Sequence, residues 1–81
     1  METSALLREL ENLAAELDVD VRFEDLDEAS GGLCTYGGKT CLLINSQLSP
    51  PERVALIAAE LASLPTDHIF VRPQVRELLE S

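Results

Sequence analysis

Few side chains in this sequence can do chemistry, and they fall in three places: Cys34 with Cys41, the neighbours Asp67 and His68, and Glu60 in the apolar run RVALIAAELASLP. The cysteines flank Gly37-Gly38 in GLCTYGGKTCLLIN, where two β-prone runs meet a pair suited to a two-residue turn with positive φ. A turn centred there sets Tyr36 opposite Lys39, Thr35 opposite Thr40, Cys34 opposite Cys41 and Leu33 opposite Leu42. By the usual alternation Cys34 and Cys41 form a hydrogen-bonded pair with Cα atoms roughly 5.5 Å apart. A disulfide spans that distance, so the pair reads either as packed thiols or as a redox-sensitive bridge. The absence of C-x-x-C spacing weighs against a thioredoxin-type centre. A zinc site needs about four ligands, and the one histidine lies far along the chain.

Asp67 beside His68 has the composition of an oriented base, but neighbours in an extended chain point to opposite faces. Neither cysteine has an activating partner in sequence, and His68 reads as a loop residue. Glu60 belongs to a helix announced by SPPE: Ser49 as N-cap, Pro50 at the first helical position and Glu52 closing a capping box. The helix is predicted from about residue 50 to 63, ending before Pro65. On its wheel Val54, Ile57, Ala58 and Leu61 form the core stripe. Glu60 falls off that stripe near Arg53 and Leu64, as a solvated helix-edge residue would.

Other elements must position these groups. Leu6, Leu10, Leu13 and Leu17, widened by Leu7 and Ala14, predict a helix over about 4–17. This stripe fits packing on the domain's own sheet, or a seam with a second chain. VDVRFED alternates as a half-buried strand, with Val19, Val21 and Phe23 on one face. DLDEASGG reads as a polar loop, HIFV as a short edge strand or extended connector, and Pro73 opens a short helix carrying Val75, Leu78 and Leu79. The hairpin should show Cys34, Tyr36, Cys41 and Leu43 on one face and Leu33, Thr35, Thr40, Leu42 and Ile44 on the other. Neither face is plainly polar, which predicts that both are partly covered. The fold expected over residues 1–81 is one small α+β domain, α-β-β-β-α-(β)-α, with a three-stranded, mostly antiparallel sheet and helices packed on it.

The hairpin ending in LLIN, followed by a capped apolar helix with AAELAS, resembles the ImmA/IrrE family of small zinc peptidase-like domains across roughly residues 19 to 64. That family's helix carries His-Glu-x-x-His. Here Ala59 stands at the first histidine position, Glu60 at the glutamate and Ser63 at the second histidine. Methyl and hydroxyl groups do not replace imidazoles as zinc ligands, and without metal-bound water Glu60 has no proton to take as a general base. The resemblance therefore implies a degenerate scaffold without peptidase activity.

Composition narrows the partners. The 81 residues carry six Lys and Arg against fifteen Asp and Glu, a net charge of −9, which disfavours nucleic acid and anionic membrane. METSALLRELENLAAELDVD lacks the basic start and apolar run of a signal peptide, so the reading is cytoplasmic. A chain this short buries only about two-thirds of its extended surface, and a second copy is one common supplement. Leu56 is expected opposite the core stripe, with small Ala59 and Ser63 beside it, as a contact surface that could extend to the exposed side of the hairpin. The sequence thus predicts a non-enzymatic interaction module forming a homodimer or binding another protein, with no cofactor, metal ligands or catalytic residues. The alternative is a thiol redox sensor using Cys34 and Cys41.

Overall fold

A computed structural model describes residues 1–80. Helix α1 spans Thr3–Glu16 and buries Leu10, Leu13 and Ala14 of the leucine stripe. It ends where Asp18 takes a left-handed φ of 60°. From there the Val19 N–H reaches back to the Ala14 carbonyl (2.8 Å) and the Asp18 N–H to that of Ala15 (3.1 Å). These are the two bonds of a Schellman stop, with aspartate in the place glycine usually takes. Val19, 95% removed from solvent, seals the turn against the core.

Strands β1 (Asp20–Glu24), β2 (Gly31–Tyr36) and β3 (Lys39–Asn45) form one sheet in the order β1-β3-β2. Gly37 and Gly38, with φ of 59° and 80°, make the primed turn that matches strand twist. The hairpin register is the predicted one, Tyr36–Lys39 through Leu33–Leu42. The sheet is mixed rather than mostly antiparallel, because β1 lies parallel to β3, from Asp20–Cys41 to Glu24–Asn45. Loop 25–30 crosses the end of β3, and β2 then serves as the return path that parallel neighbours require.

Asn45 fastens that crossing. Its side-chain amide donates to the carbonyls of Asp27 (2.9 Å) and Ala29 (2.8 Å), and its Oδ1 accepts from the Gln47 N–H (3.0 Å). The backbone joins in, Asn45 N–H to Ser30 O and Ser46 N–H to Glu24 O. Asn45 is the one buried polar side chain of the described residues.

Helix α2 (Pro50–Leu61) begins with the predicted capping box: Ser49 N–H donates to Glu52 Oε1 (2.8 Å), and Glu52 N–H to Ser49 Oγ (3.4 Å). The bond from the Ser49 backbone holds the Glu52 carboxyl below its ordinary range. The regular helix stops at Leu61 rather than 63, where turn bonds from Ser63 and Leu64 to the Glu60 and Leu61 carbonyls tighten the chain. HIFV is a connector, not an edge strand: Ile69 N–H closes a turn onto Thr66 O, and both sheet edges lie elsewhere. Ile69 and Val71 face inward, and Arg72 ties the connector to Glu9 of α1 (3.1 Å). Helix α3 (Pro73–Glu80) inserts Val75.

The helices gather on one side. α2 packs against α1, α3, β2 and β3, while α1 also meets β1 and α3. Between them lie Leu10, Leu42, Ile44, Ile57 and Leu61, all fully buried. The molecule measures 33 × 30 × 18 Å, and the short axis accommodates a single helix layer on the sheet. The partial covering expected of both faces takes different forms: helices cover one face, while on the other Cys41 is buried and Leu43 half-buried with no helix over them. Covering the second would take another layer of helix, and each helix is already committed to the first.

Two outcomes follow from these contacts. Asn45→Ala leaves two carbonyls and an N–H without partners, and should lower unfolding stability by about 2–3 kcal/mol in urea titration. The Glu52 carboxyl titrates lower in the folded chain than unfolded. Its contribution is thus present above the usual carboxylate range and lost as pH falls through it. Glu52→Gln should flatten the acid limb of a melting-temperature profile between about pH 5 and 3.

Candidate functional site

The bare face of the sheet holds Cys34 and Cys41, two of the side chains singled out in sequence; Leu56, Ala59, Glu60, Ser63, Asp67 and His68 lie elsewhere. Strand alternation and register place Asp20, Arg22 and Glu24 of β1, Cys41 and Leu43 of β3, and Cys34 and Tyr36 of β2 on it. Arg22, Glu24, Cys34, Tyr36, Cys41 and Leu43 enclose a shallow groove of about 230 Å³. Cys41 lines its floor and is buried, whereas Cys34 and Tyr36 are exposed. Arg22 Nε pairs with Asp20 Oδ2 at 3.0 Å, and that bond raises the guanidinium pKa. Lys39, at the hairpin tip, shares the parity of Cys41.

All three aromatic residues of the chain are on the outside, with relative exposures of 44% for Phe23, 76% for Tyr36 and 84% for Phe70. Phe23 is accounted for: it belongs to the helix-covered face, where the Arg53 guanidinium stacks on its ring at 5.4 Å. Arg53 in turn donates to the Leu48 and Ser46 carbonyls. Tyr36 has no such cover.

Glu60 is not the solvated residue that the wheel predicts. Its Oε1 accepts the Leu33 N–H of edge strand β2 at 3.3 Å. The same oxygen would lie 2.7 Å from a Cβ at position 32, so Gly32 is what lets the carboxylate approach. This bond also fixes the phase of the hairpin. Since the Leu33 N–H points away from β3, Leu33–Leu42 is a non-hydrogen-bonded pair and Cys34–Cys41 a hydrogen-bonded one. The wheel missed this contact because it contains no information about the neighbouring strand.

The placement expected for Leu56, opposite the core stripe, is corrected. Leu56 is half-buried and packs against the core, because neighbours on several sides cover a wider arc of α2 than its narrow stripe implies. Ala59 and Ser63 are exposed. Ser63 Oγ donates back to the Glu60 backbone carbonyl (2.7 Å).

These groups do not fit zinc. Ala59 offers no donor atom, the Ser63 hydroxyl is turned to the backbone, and Glu60 is engaged by β2. Among the described residues no group of three His, Cys, Asp or Glu side chains could hold a metal ion. His68 and Asp67 are both exposed on the connector, away from the cysteines' strands. A second cavity, about 250 Å³, lies between α1 and the connector, lined by residues including Glu9, Glu16, Phe70 and Arg72. It contains no cysteine, serine, threonine, lysine or histidine.

No protein-family model, curated protein or solved structure matches this chain. Among the described residues no helix is long and apolar enough to cross a membrane.

The link from Glu60 to β2 is measurable by amide exchange. Glu60→Ala should speed exchange at Leu33 about 3- to 10-fold, the equivalent of one modest hydrogen bond, while Glu60→Gln should retain most of the protection. Unchanged exchange at Leu33 in Glu60→Ala would remove the bond from the account.

Proposed function

We propose that this chain is a cytoplasmic, non-enzymatic interaction module that pairs with a second copy of itself through the bare face of its sheet. The observation that carries the reading is this uncovered face, with Tyr36 and Cys34 exposed around a groove floored by Cys41 and Leu43. Aromatic side chains at the centre of a desolvated patch are the usual anchors of association.

Charge selects the occupant. The outward strand side chains comprise two anions beside Arg22, one cation at the hairpin tip and Arg22 itself, so the face is neutral in a chain of net charge −9. The rest of the surface carries the whole acidic excess and repels a like copy. The sheet face is thus where two copies approach with least repulsion. Area sets the strength: three strands about 4.8 Å apart and six residues long at about 3.3 Å each give a footprint near 300 Å². A stable interface buries about 800 Å² per partner, so the pairing is weak and concentration-dependent, in the micromolar range or above.

Under this reading the hairpin and α2 form a scaffold of the ImmA/IrrE-like kind without its chemistry. Support comes from α2 lying directly after the hairpin with Glu60 facing β2. Ala59 offers no donor atom and the Ser63 hydroxyl is spent on the Glu60 carbonyl, which argues against zinc-dependent hydrolysis.

Light scattering across a dilution series from micromolar to millimolar tests the pairing. The expected result is a monomer–dimer equilibrium that strengthens as added salt screens the acidic excess. Tyr36→Lys should abolish it with an unchanged far-ultraviolet circular dichroism spectrum, whereas Ala59→Glu should leave it intact. A monomer at every concentration overturns the proposal. Loss of the dimer in Ala59→Glu but not in Tyr36→Lys would move the interface to α2.

A further inference from the structure

The two cysteines differ in a way that assigns each a role. They are register partners on adjacent antiparallel strands, yet Cys34 is exposed and Cys41 is buried at 4% relative exposure. An oxidant from solvent meets Cys34 first. The only thiol beside Cys34 in the sheet is that of Cys41.

We propose that Cys34 and Cys41 are a site of reversible oxidation by hydroperoxides, in which Cys34 is the thiol oxidised first and Cys41 resolves it. In the first step the Cys34 sulfur attacks one peroxide oxygen and the O–O bond breaks. Cys34 becomes a sulfenic acid, and the other oxygen leaves as an alcohol, taking the thiol proton. In the second step the Cys41 sulfur attacks the Cys34 sulfur. The S–O bond breaks, an S–S bond forms, and the hydroxyl departs as water with the Cys41 proton. Two thiols and one hydroperoxide thus give one disulfide, one alcohol and one water: both sulfurs are oxidised and both peroxide oxygens reduced.

Hairpin phase explains why the bridge is reversible. Hydrogen-bonded partners hold their Cα atoms about 5.5 Å apart, against about 4.5 Å for the other kind. A disulfide accepts that Cα separation but needs Cβ atoms within about 3.5–4.5 Å, whereas opposite residues of a hydrogen-bonded pair hold theirs about 5–5.5 Å apart. Closing the bond therefore draws the strands together at Cys34–Cys41, against a ladder fixed on one side by the Gly37-Gly38 turn and on the other by Glu60 bound to Leu33. A bridge strained in this way is reduced more readily than a relaxed structural disulfide.

The proposal does not depend on self-association, and it is tested on the full chain at low micromolar concentration, where the proposed pairing is weak. Hydrogen peroxide at a few equivalents is the probe, read by intact mass with and without dimedone, a trap for sulfenic acid. Wild type should lose two hydrogens, about 2 Da, without a lasting dimedone adduct, and a dithiol reductant should restore its mass. Cys41→Ala should instead accumulate the dimedone adduct on Cys34. Cys34→Ala should react at least about tenfold more slowly, since its remaining thiol is buried. The wild-type reading stands by itself if a variant fails to fold. A wild-type mass that rises by whole oxygens, an unchanged mass, or a bridge between two chains would each overturn the proposal. Equal reactivity of Cys34→Ala and wild type would overturn the assignment of roles.

Discussion

The fold depends on a chain crossing. β1 and β2 are consecutive in sequence but lie on opposite edges of the sheet, and β3 enters between them. Loop 25–30 must therefore pass over the end of β3, bringing backbone polar groups onto a sheet terminus where strand neighbours cannot satisfy them. Asn45 meets that demand with both amide hydrogens and its oxygen, each placed on a backbone group. An apolar residue there would bury as well but would leave the loop carbonyls unpaired. Because the crossing holds β3 at the centre, Leu42 and Ile44 come to lie fully buried under the helices. Cys41 and Leu43 fall on the opposite face by the same alternation. The inner core and the outer groove are two consequences of one placement.

Helix placement leaves the outer face bare. Helices α1 and α2 fill one side of the sheet, and α3 is spent sealing their ends through Val75. The core is accordingly aliphatic, and the aromatic residues, which would demand a thicker interior, are all displaced outward. A domain of this size has a low ratio of buried to exposed surface, and the uncovered sheet face is the form that shortage takes here.

Much of this was legible in the sequence wherever the signal is local. The capping box at Ser49 and Glu52, the Gly37-Gly38 turn and the pairing of Cys34 with Cys41 depend on neighbours in the chain, and each appears in place. Three features depend on contacts between distant segments and were not legible. The parallel β1–β3 pairing requires knowing that loop 25–30 crosses β3. Glu60 reaches Leu33, 27 residues away, and a helical wheel holds no strand. Leu56 is covered because α2 has neighbours on several sides, whereas a single stripe assumes one. The one signal that could have pointed to Glu60 is Gly32, a glycine inside a strand, which often marks the close approach of another group.

The proposed pairing surface lies on the face that carries the cysteines, so the two proposals are thermodynamically linked. A second copy seated over Tyr36 and Leu43 also covers Cys34, and a hydroperoxide can then reach the thiol only in the dissociated chain. Under the two proposals, association lowers the rate of oxidation in proportion to the fraction paired. By the same reciprocity a bridge that draws β2 toward β3 changes the shape of the groove and shifts the pairing equilibrium. Weak pairing is what allows this coupling to operate: a tightly closed dimer would keep Cys34 covered, and a permanent monomer would leave the bridge nothing to regulate. The small footprint of a three-stranded sheet sets the proposed pairing between those limits.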